Sequence, residues 1–537
     1  VYFSMRIFFR VILSTVFSNI EIVGLDNVPR KGPIIFTGNH ANQFVDALQV
    51  ICSNPFKALS PISFLIAQKS WDRPIIGDFA KLCSGIPVAR AQDSAKKGQG
   101  TIVTAESSST KTEVKGEGTD FPAQLRPGDK VRFAGSATAY KVSSIAGPSA
   151  LTIATPADSP CPVLDGVTFD VLPRVDQSVM FRSVFDALKD GRCIGIFPEG
   201  GSHDRTDLLP LQAGVALMAF GCLEEHNISV PVVPIGLTYF ARSQFRSRVV
   251  IEFGSPVTIS EELVKQYEKD KRGACNRFLG HVEDGLRAAL VTTDSYDTLT
   301  LVHTARRLYQ RDYEALDTAA KQDLNRRFAE GYKKLLSQGG GNLPEDIANL
   351  RAKLAEYRDT LAALGLRDHQ ARLPRRTQSS KQLVVLSAVH ILILLAISAI
   401  PNLLLNLPVG IASTRYAAKA QIKALAGSKV KIEAEDVVLS EAIKLAIIAL
   451  PALWLTYAFL LLLFSGLAAK TVFFILLSFP LMSYIGVISA EAGMIAIKDL
   501  QPLFNQLLFR EQLQLRTMRT ELQTLVRESV KNHGPSL

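Results

Sequence analysis

The residues best suited to do chemistry begin with Gly38-Asn39-His40-Ala41-Asn42-Gln43-Phe44-Val45-Asp46, which sets an imidazole six positions before a carboxylate. A histidine near neutrality can take a proton from a hydroxyl. A carboxylate on its other nitrogen fixes the tautomer and stabilises the imidazolium. Acyl transfer to an alcohol needs such a pair. Taken alone, His40 also reads as a helix cap or a satisfied core histidine, and Asp46 as a solvated helix residue.

Three further segments bear on the same chemistry. Gly85-Ile86-Pro87-Val88-Ala89-Arg90 ends an apolar strand on a cation suited to a phosphate or carboxylate oxygen. Phe197-Pro198-Glu199-Gly200-Gly201-Ser202-His203-Asp204-Arg205 leaves a strand through two glycines, which let backbone approach a ligand closely. Here Glu199 is a candidate for substrate hydroxyls and Arg205 for a phosphate; the plainer alternative is a turn with a Glu199–Arg205 surface ion pair. Val230-Pro231-Val232-Val233-Pro234-Ile235-Gly236 is an apolar strand bracketed by prolines. It lines an acyl or thioester site through Val233 and Pro234, or is a core strand.

Each segment sits at or just beyond a predicted strand, where open α/β sheets present loops to a ligand. Apolar runs alternating with amphipathic stretches predict an α/β domain over 21–97 and 176–260. Gly32–Thr37, Cys193–Phe197 and Val230–Tyr239 are its clearest strands, and Asp176 is placed to cap a helix through Lys189 that Gly191 ends. Between 98 and 175 the alternation gives way to Ser, Thr and Gly, with β-like pieces at Lys130–Phe133, Ala139–Ile145 and Leu151–Ile153. That stretch predicts a small inserted all-β module, turning at Pro127-Gly128-Asp129 and Gly147-Pro148. From 261 to 380 the pattern is helical, with Ile347, Leu350, Leu354, Leu361 and Leu364 at helix spacing after Gly339-Gly340-Gly341. A helical hairpin packed through its leucines is the expectation.

A mean hydropathy of +0.17 is unusual for a soluble enzyme, and three apolar runs, Leu383–Leu407, Leu445–Phe464 and Val472–Ser489, account for it. At ~1.5 Å per residue each approaches the ~30 Å of a bilayer core; the alternative is a helical core inside a large soluble domain. Arg372, Arg375, Arg376 and Lys381 precede the first run, and Arg415, Lys419, Lys423, Lys429 and Lys431 follow it, so both flanks are expected in the cytoplasm. Pro401 and Pro408 make Leu383–Ile411 a hairpin that dips in and returns. The next two runs, joined by Gly466–Lys470, form a second, with Lys498 and Arg510 again cytoplasmic. Membrane hairpins are thus expected over 381–498 and a cytosolic tail over 499–537. His390 reads as an interfacial or packing residue.

Residues 1–20 set Arg6 and Arg10 among apolar neighbours, which suits a segment lying in the interface. No small-residue cleavage pattern follows it. The chain opens on valine rather than methionine, as a fragment of a longer protein would. Cysteines at 52, 83, 161, 193, 222 and 275 show neither paired nor metal-ligand spacing, so reduced packing thiols and no metal are expected. A net charge of +10 suggests attraction to anionic headgroups and to polyanionic substrates such as CoA thioesters. Nucleic-acid binding would need a clustered basic patch, which the sequence lacks. The near absence of polar residues in the apolar runs argues against a transporter.

In their order, Asn39-His40 with Asp46, Gly85–Arg90, Phe197–Ser202 and Val230–Gly236 resemble the four motifs of the glycerolipid acyltransferase superfamily. With the insertion after the second motif and the apolar C-terminal hairpins, the chain looks like the fungal-type glycerol-3-phosphate and dihydroxyacetone-phosphate acyltransferases over most of its length. That resemblance implies that His40 and Asp46 are the catalytic pair, and that Arg90, Glu199, Gly200, Gly201, Ser202 and Arg205 bind the acceptor. It implies transfer of a fatty acyl group from acyl-CoA, a co-substrate, to the sn-1 hydroxyl of glycerol 3-phosphate or dihydroxyacetone phosphate, giving lysophosphatidate without a cofactor. The membrane would be the endoplasmic reticulum, with the catalytic domain in the cytosol. A lysophospholipid acyltransferase and a non-catalytic, lipid-binding membrane-shaping protein are the alternatives. Five residues separate His40 from Asp46, where the superfamily's usual pair has four between. On a regular helix that spacing turns Asp46 ~240° away from His40, so the two meet only if the backbone between them is not helical.

Overall fold

The computed structural model describes residues 1–53, 61–107, 111–136, 138–154, 166–310, 316–371, 380–428, 430–508 and 511–534. Cys161, Arg372, Arg375, Arg376, Lys429 and Arg510 lie outside them.

The chain first forms β1 (Phe17–Val23), β2 (Ile35–Gly38), β3 (Ile62–Ala67) and β4 (Ile86–Val88). It then leaves the main sheet for β5 (Lys96–Lys97), β6 (Thr101–Ser107), β7 (Lys111–Glu117), β8 (Lys130–Phe133), β9 (Tyr140–Gly147), β10 (Ala150–Ala154) and β11 (Phe169–Leu172). It returns for β12 (Cys193–Ile196), β13 (Val232–Tyr239) and β14 (Ser247–Phe253). The main sheet has the order β1-β14-β13-β2-β12-β3-β4. Its five strands from β13 to β4 are parallel; β14 turns back against β13 and carries β1 alongside it. Parallel strands covered on both faces read as unbroken apolar runs, which is why Ile34, Ile35 and Phe36, and Val232 and Val233, are apolar in succession and buried.

One face is covered by the helices Tyr2–Val16 and Phe44–Ser53 and by the start of Glu435–Phe464, whose Leu439 and Ile443 join the core containing Phe36, Val233 and Ile251. The other is covered by Ser178–Lys189, Gly214–His226 and Lys271–Ala288. Asp176 accepts the Ser178 amide at 2.9 Å, and Gly191, at φ +74°, follows the end of that helix. The segment expected to lie in the interface is helical only to Val16 and enters β1 at Phe17. It buries Phe9 and Leu13 and exposes Phe3, Ile7, Phe8 and Val11.

The insertion folds into a second, antiparallel sheet of order β5-β11-β8-β9-β10-β7-β6 around Val131, Phe133, Tyr140 and Phe169. Along β7 exposed and buried residues alternate, as the two-residue side-chain period of a half-buried strand requires. A helical turn, Phe121–Gln124, capped by Asp120, packs into the same core, so the unit is β-rich rather than purely β. The helical region is larger than a hairpin: Tyr296–Tyr309 and Glu345–Ala363 pack with the C-terminal Glu511–His533 around Leu308, Tyr357 and Leu522.

Three helical stretches, Val385–Ala426, Glu435–Phe464 and Ala469–Asp499, are long and apolar enough to cross a membrane. They expose Leu392, Ile400, Leu404, Leu455, Phe464 and Leu481. Pro401 and Pro408 do not break the first: Pro401 closes Ser380–Pro401, Asn402–Asn406 is π-helical, and Pro408 lies just beyond that π-helical segment at the start of Leu407–Ala426. Ser380–Pro401 runs antiparallel to Ala469–Leu508, with Leu395 against Gly493 and Asn402 bonded to the Gly486 carbonyl. Leu407–Ala426 runs antiparallel to Glu435–Phe464, through Gln421 to Glu433 and Tyr457 to the Leu404 carbonyl. Only Ser465–Ala468 joins the two partner helices, so a straight rod cannot meet both, and the chain turns at the π segment. The far end of Ala469–Leu508 returns to the soluble part: Gln370 bonds the Lys498 carbonyl, and Arg246 pairs with Glu491.

Candidate active site

At the C-terminal end of β2 the chain does not pass directly into helix. Gln43 takes a left-handed φ of +46°, and the helix starts at Phe44. This irregular turn brings His40 Nδ1 to 2.9 Å from Asp46 Oδ2 despite the six-residue separation. Asn39 fixes the turn to β13, donating to the Leu237 carbonyl at 3.0 Å and accepting the Leu237 amide at 2.7 Å. Asp46 is fully buried, so its charge needs donors. It has three: His40, the Asn42 amide at 2.7 Å and the Tyr239 hydroxyl at 2.7 Å. Burial and the Asp46 charge push the Tyr239 phenol well above its ordinary range, so it stays protonated and donates.

A carboxylate only accepts, so His40 Nδ1 carries the proton and Nε2 keeps its lone pair. The His40 side chain is 19% exposed. Its ring stacks on Phe197, centroids 4.3 Å apart and planes at 4°. The dyad is therefore oriented from both ends, and a hydroxyl beside Nε2 can lose its proton.

Glu199 has a different place from the one expected of a hydroxyl-binding group. Its side chain is buried; Oε1 accepts the His40 amide at 2.8 Å, and Oε2 accepts His203 Nε2 and the Leu209 amide. With both oxygens occupied inside the loop, it holds the His40 backbone rather than facing a ligand. His203 Nδ1 accepts the Arg205 amide at 3.1 Å, which leaves Nε2 as the donor to Glu199, and the His203 amide bonds the His40 carbonyl. No Glu199–Arg205 ion pair forms among the described residues.

Arg90 reaches across to the third segment and donates to the Gly200 carbonyl at 3.1 Å, joining two of the predicted segments. Gly200 is left-handed at φ +75°, and a side chain on Gly201 would meet open space. Arg205 is exposed and donates through Nε to the Val430 carbonyl at 2.7 Å. Ser202 bonds Asp436 Oδ2 at 2.6 Å, and Lys431 contacts both Asp436 and Ser202. Burial works to raise the Asp204 carboxyl, but the amides of Ile432, Glu433 and Glu435 outweigh it and hold it below its usual range. The loop is thus clamped to the 430–436 junction between the apolar helices Leu407–Ala426 and Glu435–Phe464, and Ser440 donates to the Asn42 carbonyl beside the dyad. Val233 and Pro234 do not line an open groove: both are buried in β13, opposite Phe36 and Thr37 of β2. Their strand instead delivers Leu237 and Tyr239 to the dyad.

Sequence reasoning missed Tyr239, Asn42, His203 and the Lys431–Asp436–Ser440 cluster. His203 lay within a recognised segment and Tyr239 at the end of a predicted strand. From the sequence Lys431 reads only as a flanking charge, because nothing local shows that it meets a loop 229 residues earlier.

An acyltransferase family model matches residues 19–139, and the model of the glycerol-3-phosphate acyltransferase 2 C-terminal domain matches residues 301–537. The chain is 33% identical to glycerol-3-phosphate O-acyltransferase 1 of Saccharomyces cerevisiae, over 97% of this chain and 70% of that protein. It is 29% identical to glycerol-3-phosphate O-acyltransferase 2 of the same yeast, over 93% and 72% respectively. An acyltransferase of Schizosaccharomyces pombe shares 32% identity over 98% of this chain and 80% of its own length.

Proposed function

Because the chain belongs to the glycerol-3-phosphate acyltransferase family, we propose that it moves a fatty acyl group from acyl-CoA to the sn-1 hydroxyl of glycerol 3-phosphate, with dihydroxyacetone phosphate as a second acceptor. The observation that carries this reading is the His40–Asp46 pair at the open end of β2, held by Tyr239 and stacked on Phe197. His40 Nε2 takes the hydroxyl proton as the acceptor oxygen attacks the thioester carbonyl. Asp46 stabilises the imidazolium. The tetrahedral adduct collapses, the C–S bond breaks, and the proton passes to the departing CoA thiolate, leaving lysophosphatidate. No acyl-enzyme is required.

Arg90 and Arg205 are assigned to the acceptor phosphate, where a planar guanidinium can hold two oxygens at once; Gly200 and Gly201 admit the substrate, and Ser202 fixes the loop. Residues 21–97 and 176–260 make the catalytic unit, 98–175 its insertion, 261–380 the helical region, and 381–498 the membrane hairpins. We assign the membrane to the endoplasmic reticulum, with both hairpins entering from the cytosol and the N-terminal helix resting in the interface through Phe3, Ile7, Phe8 and Val11. The reaction uses acyl-CoA as co-substrate and no cofactor.

The test is transfer of a labelled acyl group from acyl-CoA by the purified protein, with glycerol 3-phosphate and dihydroxyacetone phosphate in competition. Transfer to either supports the assignment; transfer only to a lysophospholipid replaces the acceptor, and no transfer to any acceptor defeats it.

A further inference from the structure

A cavity of about 470 Å³ lies between the β1–β14 edge of the main sheet and the helices Tyr296–Tyr309 and Thr318–Gln338. Arg248, Arg306, Arg307, Lys321 and Arg358 line it, and Glu21 is the one carboxylate among its lining residues. Glu21 is already engaged by Arg248 and Thr318. Two buried polar atoms of the lining have no hydrogen-bond partner, Arg306 Nε and Asn325 Oδ1, and Asn325 is only 4% exposed. Burial, then the charges of Arg306 and Arg307, holds the His303 imidazole down at about 4. Arg248 pairs with Glu21 and Arg358 with Asp297 and Asp359, so Arg306, Arg307 and Lys321 are the lining cations with no carboxylate ion pair among the described residues, and such cations gathered in a concave site attract a polyanion. Phe240 adds an aromatic surface: the Arg248 guanidinium lies 5.1 Å from its centroid and the His303 ring 6.1 Å.

The position of this cavity narrows the choice of polyanion. Phe240 directly follows Tyr239, whose hydroxyl holds Asp46. In the sheet order, β14 and β1 lie two and three strands from β2, so at ~4.8 Å per strand the cavity is roughly 10–15 Å from the strand that delivers His40. A three-carbon phosphate bound at the dyad does not span that distance. An acyl-CoA does, because its pantetheine arm separates the thioester from a head with three phosphate groups and an adenine.

We propose that the cavity lined by Arg306, Arg307, Lys321 and Phe240 binds the 3′-phosphoadenosine diphosphate head of acyl-CoA, leaving the pantetheine arm to run along the rim of the sheet to His40. The assignment rests on acyl-CoA being the donor. Arg306, Arg307 and Lys321 meet the phosphates, and the Phe240–Arg248 wall faces the adenine.

The test uses the full chain and adenosine 3′,5′-bisphosphate, a probe that carries the adenine, the ribose and two of the head's three phosphates without the arm. Arg307→Gln and Lys321→Gln, with Arg306→Gln as the more buried companion, should each raise the KM for acyl-CoA by ~10-fold, the weight of a charged hydrogen bond. The acceptor KM and the rate at saturating donor should stay unchanged. Bisphosphate should compete with acyl-CoA in the wild-type protein, and its affinity should fall in parallel in the variants. Arg307 is exposed, so its variant keeps the test valid even if Arg306→Gln misfolds. Unchanged donor KM in folded Arg307→Gln and Lys321→Gln, with bisphosphate still competing, overturns this site and leaves the donor intact. Binding of bisphosphate that does not compete with acyl-CoA overturns it also. A wild-type protein that transfers no acyl group from acyl-CoA defeats the donor reading itself.

Discussion

Replacing Tyr239 by phenylalanine removes one oxygen and isolates the link between β13 and the dyad. The ring remains, and with it the contact to Phe17 at 5.9 Å between centroids. What is lost is the 2.7 Å hydrogen bond to Asp46 Oδ1, for which Tyr239 is the one partner among the described residues. A hydrogen bond to a charged, buried group contributes ~1.5–3 kcal/mol. If that loss fell wholly on the transition state, in which Asp46 stabilises the imidazolium, kcat would drop ~10–100-fold at ~1.4 kcal/mol per decade. Part of it raises the ground state too, so a fall near 10-fold is expected, with both KM values within twofold. Asp46→Asn should be more severe, since one amide oxygen cannot accept from His40, the Asn42 amide and the Tyr239 hydroxyl together. Both changes act through the same carboxylate, so the double variant should lose much less than the product of the single losses. Steady-state kinetics on the four proteins, with thermal melts to confirm folding, decide it. Multiplying losses, or a Tyr239→Phe defect confined to KM, would refute the reasoning.

Arg205→Ala should raise the acceptor KM far more than that of acyl-CoA, and Arg205→Lys should not restore it fully; parallel rises in both would make Arg205 a shaping residue of the loop. The hairpins should resist carbonate extraction, because apolar burial rather than charge holds them, and cysteine labelling should find positions near Ser428 and Lys498 on one side of the membrane. Opposite sides at those two positions would contradict the turn at Asn402–Asn406. For His303, burial and two arginines lower the imidazole from 6.5 to about 4. Between those values the unfolded chain binds a proton that the folded chain refuses, so stability is lost as pH falls through 6.5 toward 4. Melting temperature should therefore drop from pH 7 to pH 5, and His303→Asn should flatten that part of the profile; an unchanged slope would count against a half-buried neutral imidazole.

The sequence identified the dyad because β2 and its loop are local: an apolar run, a glycine, then the imidazole and carboxylate. It also exposed the conflict in their spacing, and the left-handed Gln43 resolves it. Glu199 was legible as important but not in its orientation, because only the fold shows the His40 and Leu209 amides converging on it. Val233 and Pro234 looked equally like a groove and a core strand, and periodicity cannot tell which neighbour covers a strand. The polar clamp joining Ser202 to Asp436 was not legible, since the residues lie 234 positions apart. Apolar runs revealed the helices long enough to cross a membrane, whereas the pairing that bends the first of them depends on Asn402 and Asn406 meeting carbonyls of a later helix.

The central claim is that His40 acts as the base of acyl transfer. The most direct measurement is single-turnover transfer from acyl-CoA to glycerol 3-phosphate by purified wild-type protein and His40→Ala, each shown to be folded and equally membrane-bound. Loss of a general base commonly costs ~10²–10⁴-fold, and a fall in that range with donor binding preserved is the expected result. Near wild-type turnover by His40→Ala would contradict the account.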